Sequence, residues 1–120
     1  MGKEETWKAS LGRRGEEAAR AFLESRGYRI LAVDFRLGHS QADILAWEGG
    51  RPVVVEVKST WGEGRPEASF RPAQARRLLA LGKAFFRGRG GPVRLDLVTV
   101  HFFRKGPPRL DVFQDLRLLP

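Results

Sequence analysis

The stretch "VVVEVKST", residues 53–60, decides how this chain is read. Three consecutive valines lead into Glu56, Val57 and Lys58, a composition suited to a strand covered on both faces. A charge in apolar surroundings is costly unless it is paired, neutralised or bound to a metal. Two charges one residue apart in such a strand therefore need a chemical reason. Side chains two apart share a face, roughly 6–7 Å from each other at a rise of about 3.3 Å per residue. Glu56 and Lys58 point the same way.

Working outward, "ADILAWEGGRPVVVEVKS" (42–59) reads as two strands joined at Gly49-Gly50, a strong hairpin signal. "YRILAVDFRL" (28–37) precedes it as a further strand, with "GHSQ" (38–41) as a loop. Upstream, Ser10 is placed as an N-cap. Leu11, Gly15, Ala18, Ala19, Phe22 and Leu23 then recur at helical spacing until Gly27. Downstream, "WGEGRPE" (61–67) is too rich in Gly, Pro and charge to be regular. A second amphipathic helix starts near Pro72, with Ala75, Leu78, Leu79, Gly82, Phe85 and Phe86 as its stripe. "VRLDLVTVHFF" (93–103) and "RLDVFQDL" (109–116) complete the strands.

The order is αβββαββ. A strand–helix–strand passage implies a right-handed parallel crossover between 53–58 and 93–102, while the other neighbours read as antiparallel. The expectation is an α/β fold, a mixed five-stranded sheet flanked by helices. Residues 1–9 read as a flexible tail and 10–120 as one domain.

The 120 residues carry a net charge of +8 and no cysteine, which excludes disulfides and thiolate metal sites. No apolar run approaches a membrane span, and "MGKEETWKAS" has no secretory core, so a cytoplasmic protein without a membrane partner is expected. The positive balance favours a polyanion partner, and nucleic acid first. The pairs Arg13-Arg14 and Arg76-Arg77 suit phosphate, because a guanidinium offers a planar fork of donors.

The hairpin folds Asp43 back toward residues 56–58, so two carboxylates and an ammonium converge. Such oxygen donors suit Mg²⁺ or Mn²⁺, with Asp43 and Glu56 as the metal ligands. Lys58 would sit beside a scissile phosphate or the attacking water, the arrangement of metal-assisted phosphodiester hydrolysis. The alternative is a structural cluster in which Lys58 pairs with Asp43 or Glu56. On a helical wheel Glu16 lies beside the apolar stripe and Glu17 points to solvent, so Glu16 is the candidate from the first helix. His39 and His101 are too few for a metal pair. Asp96 is expected to be structural, pairing with Arg94 or a neighbouring strand. Trp47, Trp61 and Arg65 are candidates to stack on or contact nucleic acid.

Asp43 upstream of Glu56-Val57-Lys58 resembles the D…E-x-K signature of the PD-(D/E)xK, or restriction-endonuclease-like, nucleases. "GRRGEEAARAFLESRGYRIL", "QADILAW", "VVVEVKS" and "RLDLVTV" together resemble the YraN-like family of predicted endonucleases, itself similar to archaeal Holliday-junction resolvases. The resemblance implies a nuclease sheet flanked by helices and a divalent metal at Asp43 and Glu56. It also implies branched or structured DNA as substrate, a homodimer, and an acidic residue of the first helix completing the site. The motif G-x-x-G-E places that residue at Glu16. The chain departs from the pattern at Gln41, where a carboxylate is expected, and at Gln74, where a more basic stretch is expected. Those departures leave a second reading open, a noncatalytic nucleic-acid-binding module on a degenerate nuclease fold.

Overall fold

The structure, a computed structural model, describes residues 7–116. Its elements are α1 (Trp7–Ser25), β1 (Arg29–Leu37), β2 (Ser40–Glu48), β3 (Arg51–Trp61), α2 (Pro72–Phe86), β4 (Arg94–Phe102) and β5 (Arg109–Phe113). The five strands form one sheet in the order β1-β2-β3-β4-β5. Among the described residues only β3 and β4 run parallel; the other neighbours are antiparallel. The α/β expectation and its element order therefore hold.

The β2–β3 hairpin closes with Glu48 opposite Arg51, leaving Gly49 and Gly50 as its two-residue turn. Their φ angles of 58° and 76° are left-handed, as a type I′ turn requires at both positions. The sheet separates two cores. Val53 and Val55 pack with Leu11, Leu23, Val98 and Val100 beneath α1. Val54, between them, packs with Leu45, Ala75, Leu78, Leu81 and Phe86 beneath α2. A central strand filling a core on each face cannot alternate apolar with polar residues. That is why 53–55 is an unbroken valine run.

The sequence boundaries shift in four places. Strand β2 already begins at Ser40, paired with Leu37, so of the loop read over 38–41 only Gly38 and His39 turn the chain. Helix α1 is already formed at Trp7, so Ser10 lies within it and does not cap it. Trp-Lys-Ala is compatible with helix, and nothing in it breaks the chain. Residues 1–6 of the expected tail lie outside the described residues. Strand β3 extends through Trp61, and Pro66–Ser69 form a 3₁₀ turn inside the segment read as irregular. Strand β5 ends at Phe113, three residues early, where the chain turns so that the Leu116 N–H reaches Leu95 O at 2.8 Å. Among the described residues no helix is long and apolar enough to cross a membrane.

Candidate active site

The β2–β3 ladder runs from Glu48–Arg51 to Ile44–Val55 and stops. Beyond that point β2 stays with β1 down to Ser40, whereas β3 stays with β4 up to Trp61. The sheet splits there, and a split leaves backbone donors without a ladder partner. Asp43 fills one such vacancy: its Oδ2 accepts the Val57 N–H at 2.7 Å. The carboxylate is fixed in the mouth of the split by the strand it borders.

Glu56 follows the last residue of β3 paired with β2 and is buried, 5% exposed. Its carboxyl hydrogen-bonds with Asp43, accepts from the side-chain amide of Gln74 on α2, and lies 3.3 Å from Lys58 Nζ. Burial pushes the Glu56 carboxyl up to about 8, and the Asp43 carboxylate adds to this against the opposing Lys58 charge. Asp43, Glu56 and Lys58 therefore meet as the hairpin argument expects.

Glu16 approaches from the α1 side. Helix α1 crosses β3 closely at Gly15, where a Cβ would fall 1.8 Å from Ser59 Oγ. Glycine leaves room for that close approach, and the next residue, Glu16, is thereby brought to the split. Among the described residues, carboxylate oxygens of Glu16, Asp34 and Asp43 lie within 4.8 Å of one another. Burial raises the Glu16 carboxyl to about 8, helped by its hydrogen bond with Asp34 and by the charges of Asp43 and Asp34. Glu17 is exposed, as the wheel predicts.

Asp34 is the residue that sequence reasoning missed. It lies in β1 between Val33, opposite Ile44, and Phe35, opposite Ala42, and so faces Asp43 across the pair. Its φ of 48° is left-handed, a conformation that Asp tolerates better than most residues. Gln41, which replaces an expected carboxylate, donates to Asp34 Oδ1 at 3.4 Å. The structure thus has an acid beside the position where Gln41 lacks one.

Asp43 stands between two groups, Glu16 with Asp34 on one side and Glu56 with Lys58 and Gln74 on the other. The fit to a divalent cation can be tested on this donor set. Mg²⁺ takes oxygens at about 2.1 Å, which places ligand atoms of one octahedron about 3–4 Å apart. The Glu16–Asp34–Asp43 oxygens need only a small closure to meet that spacing, and every donor is a hard oxygen. The set fits Mg²⁺ or Mn²⁺.

Arg13, Arg14, Arg76 and Arg77 are all exposed. Arg13 lines the cleft that holds Glu16, Asp34 and Asp43. Arg77 lines a second hollow with His39, Gln41 and Gln74. The Arg14 guanidinium lies over the Phe102 ring at 5.0 Å. Of the weaker candidates, Trp47 packs edge-to-face on Phe86 at 5.3 Å and belongs to the core beneath α2. Arg65 pairs with Glu67 at 3.3 Å. His101 Nδ1 is 2.7 Å from Gly62 O, which ties the loop after β3 to β4. Asp96 is structural: fully buried, it binds Arg94 through both oxygens and accepts from Tyr28 at 2.6 Å.

The fold and this geometry define an α/β domain with an acidic centre at the split of its sheet. The chain belongs to Uncharacterised protein family UPF0102, whose match spans residues 15–100. It is 37% identical over 109 residues to a UPF0102 protein of Anaeromyxobacter dehalogenans, covering 87% of this chain and 81% of that one. A UPF0102 protein of Clavibacter michiganensis is 37% identical over 112 residues, covering 89% and 95% respectively. The matched span includes Glu16, Asp34, Asp43, Glu56 and Lys58.

Proposed function

We propose that this chain is a divalent-metal-dependent endonuclease that hydrolyses DNA phosphodiester bonds, with branched or structured DNA as its substrate. The carrying observation is the meeting of Asp43, Glu56 and Lys58 where the β2–β3 ladder ends. A structural ion pair accounts for Glu56 and Lys58 alone. It gives no reason for the further gathering of Glu16 and Asp34 around Asp43.

Asp43 with Glu16 and Asp34, or Asp43 with Glu56, would hold Mg²⁺ or Mn²⁺, which supplies charge neutralisation at the phosphate and an acidified water. The chain's own groups do the rest. Lys58 presents an ammonium beside the carboxylates, placed to meet a phosphate oxygen. Gln74 holds Glu56 in position from α2, and Gly15 sets the depth of Glu16. Arg13 and Arg77 offer phosphate contacts beside the acidic centre, and the +8 charge draws the polyanion in. A cytoplasmic homodimer accompanies this reading, since two-fold symmetry suits paired cuts in a junction.

The competing reading, a noncatalytic nucleic-acid-binding module, is favoured by Gln41. The deciding experiment incubates the purified protein with linear, nicked and four-way DNA in Mg²⁺, in Mn²⁺ and in EDTA. Metal-dependent cutting of any form supports the enzyme. Salt-sensitive binding without cutting supports the module.

A further inference from the structure

Along the open edge of β3, between Lys58 and α1, lies a cleft of about 430 Å³ that starts at Glu16 and Lys58 and runs on to Trp61, past the residues to which the catalytic reading gives a task. Its lining includes Leu11, Glu16, Val57, Lys58, Ser59 and Trp61. The volume falls in the range of small-molecule sites, and the lining joins apolar residues to a few polar groups, as such sites do. Trp61 ends β3 with 46% of its surface exposed, a large aromatic left open at the mouth of a cleft. It is held from behind by the Phe102 ring at 5.9 Å, itself capped by Arg14. Ser59 supplies an independent observation. Its hydroxyl, tucked against Gly15, has no hydrogen-bond partner among the described residues. Turning it about χ1 toward a ligand therefore breaks no existing hydrogen bond.

We infer that this cleft receives one unpaired nucleotide of a DNA strand, its base stacked on Trp61 and its phosphate beside Lys58. The inference rests on the nuclease reading and narrows its substrate to DNA with an extrahelical or unpaired nucleotide at the site. A base stacks on an indole without regard to sequence, because every base has a π-face. A base within a duplex has both faces covered and is not free to enter. The cleft thus discriminates by pairing state, and Lys58 couples an occupied cleft to the carboxylates 3.3 Å away at Glu56.

The test uses the full chain in EDTA at low salt, so that binding is read without cleavage. Two short duplexes are compared, one with a bulged 2-aminopurine nucleotide and one with the same nucleotide paired. The bulged DNA should bind at least about fivefold more tightly, the lower end of base–aromatic stacking, with its emission quenched. Trp61→Ala should remove the preference and the quenching, and Trp61→Phe should keep most of both. Circular dichroism confirms that each variant is folded. Equal affinity for both duplexes, or a preference that survives Trp61→Ala, overturns the inference while the nuclease reading stands on its cleavage assay. Failure to bind either duplex also overturns the inference, while the nuclease reading is decided by cleavage in Mg²⁺ or Mn²⁺ alone.

Discussion

Asp43 Oδ2 accepts the Val57 N–H at 2.7 Å where the β2–β3 ladder has just ended. One carboxylate thus satisfies a backbone donor that the split leaves without a ladder partner, and stands at the centre of the acidic group. The two tasks separate by substitution. Asp43→Asn keeps an oxygen acceptor for Val57 and should change stability little, whereas Asp43→Ala orphans that N–H and should cost about 1–3 kcal/mol. Both should abolish metal-dependent cleavage. Urea titrations alongside a cleavage assay check the pair. Equal stability of the two variants would show that water satisfies Val57 unaided.

The raised carboxyls make stability depend on pH. Glu16 and Glu56 titrate near 8 in the folded chain against an ordinary 4.5, so the folded state binds more protons than the unfolded state between those values. Their contribution is complete below about pH 4.5 and is lost as pH rises through about 8. Without metal, the melting temperature should therefore fall from pH 5.5 to 8.5. Mn²⁺ should reverse that trend, because the deprotonated carboxylates bind it. Thermal melts with and without Mn²⁺ across this range decide the matter.

Gly15 is predicted to be intolerant even of alanine. The added methyl would fall 1.8 Å from Ser59 Oγ, which must turn away, and 3.0 Å from Ser59 Cβ, which is fixed to the strand, so α1 and β3 must part by a few tenths of an ångström. Overpacking of this kind costs about 1–3 kcal/mol. It also withdraws Glu16, so cleavage should fall further than the lost stability explains. Adding Ser59→Ala removes the closer clash and should restore part of both. A double variant no better than Gly15→Ala would place the constraint elsewhere.

How far the site was legible follows from which residues obey a simple period. Val53–Val55, the Gly49-Gly50 turn and the α2 stripe obey the periods of strand, hairpin and helix, and the core follows them. Glu16 was reachable because helix periodicity is regular and sets it beside the apolar stripe of α1. Asp34 was not. A register shift between Ile30 and Ala32 and a left-handed φ at Asp34 break the alternation of β1, and both arise from tertiary pairing. Leu81, absent from the stripe read in the sequence, is buried because the core beneath α2 wraps farther around that helix.

The basic pairs should not act as pairs. Arg13 and Arg77 line hollows containing site residues, whereas Arg76 is exposed on α2 away from those linings. Arg13→Ala and Arg77→Ala should each weaken DNA binding and lower the salt slope by about one counterion. Arg76→Ala should do less. Binding isotherms at several salt concentrations test the ranking, and equal losses from all three would mean a diffuse electrostatic footprint.

Glu56→Gln separates enzyme from structural pair. In the folded, metal-free chain burial and Asp43 already keep the Glu56 carboxyl protonated near neutrality, so a neutral amide changes little charge there. Its carbonyl can still accept from Gln74, and Lys58, 23% exposed, retains access to water. The variant should therefore melt near the parent at pH 5.5. At pH 8.5 it should melt higher, because the parent must then ionise a buried carboxyl beside Asp43 and the variant need not. Metal-dependent cleavage should vanish, while DNA binding holds or tightens as repulsion toward phosphate is removed. The structural reading predicts the reverse on stability: removing one partner of a buried pair costs about 3–5 kcal/mol. A large drop in melting temperature at both pH values, with no cleavage by the parent on any DNA form, would decide for the pair. A raised melting temperature at pH 8.5 with cleavage lost decides for a carboxylate placed there to hold a cation.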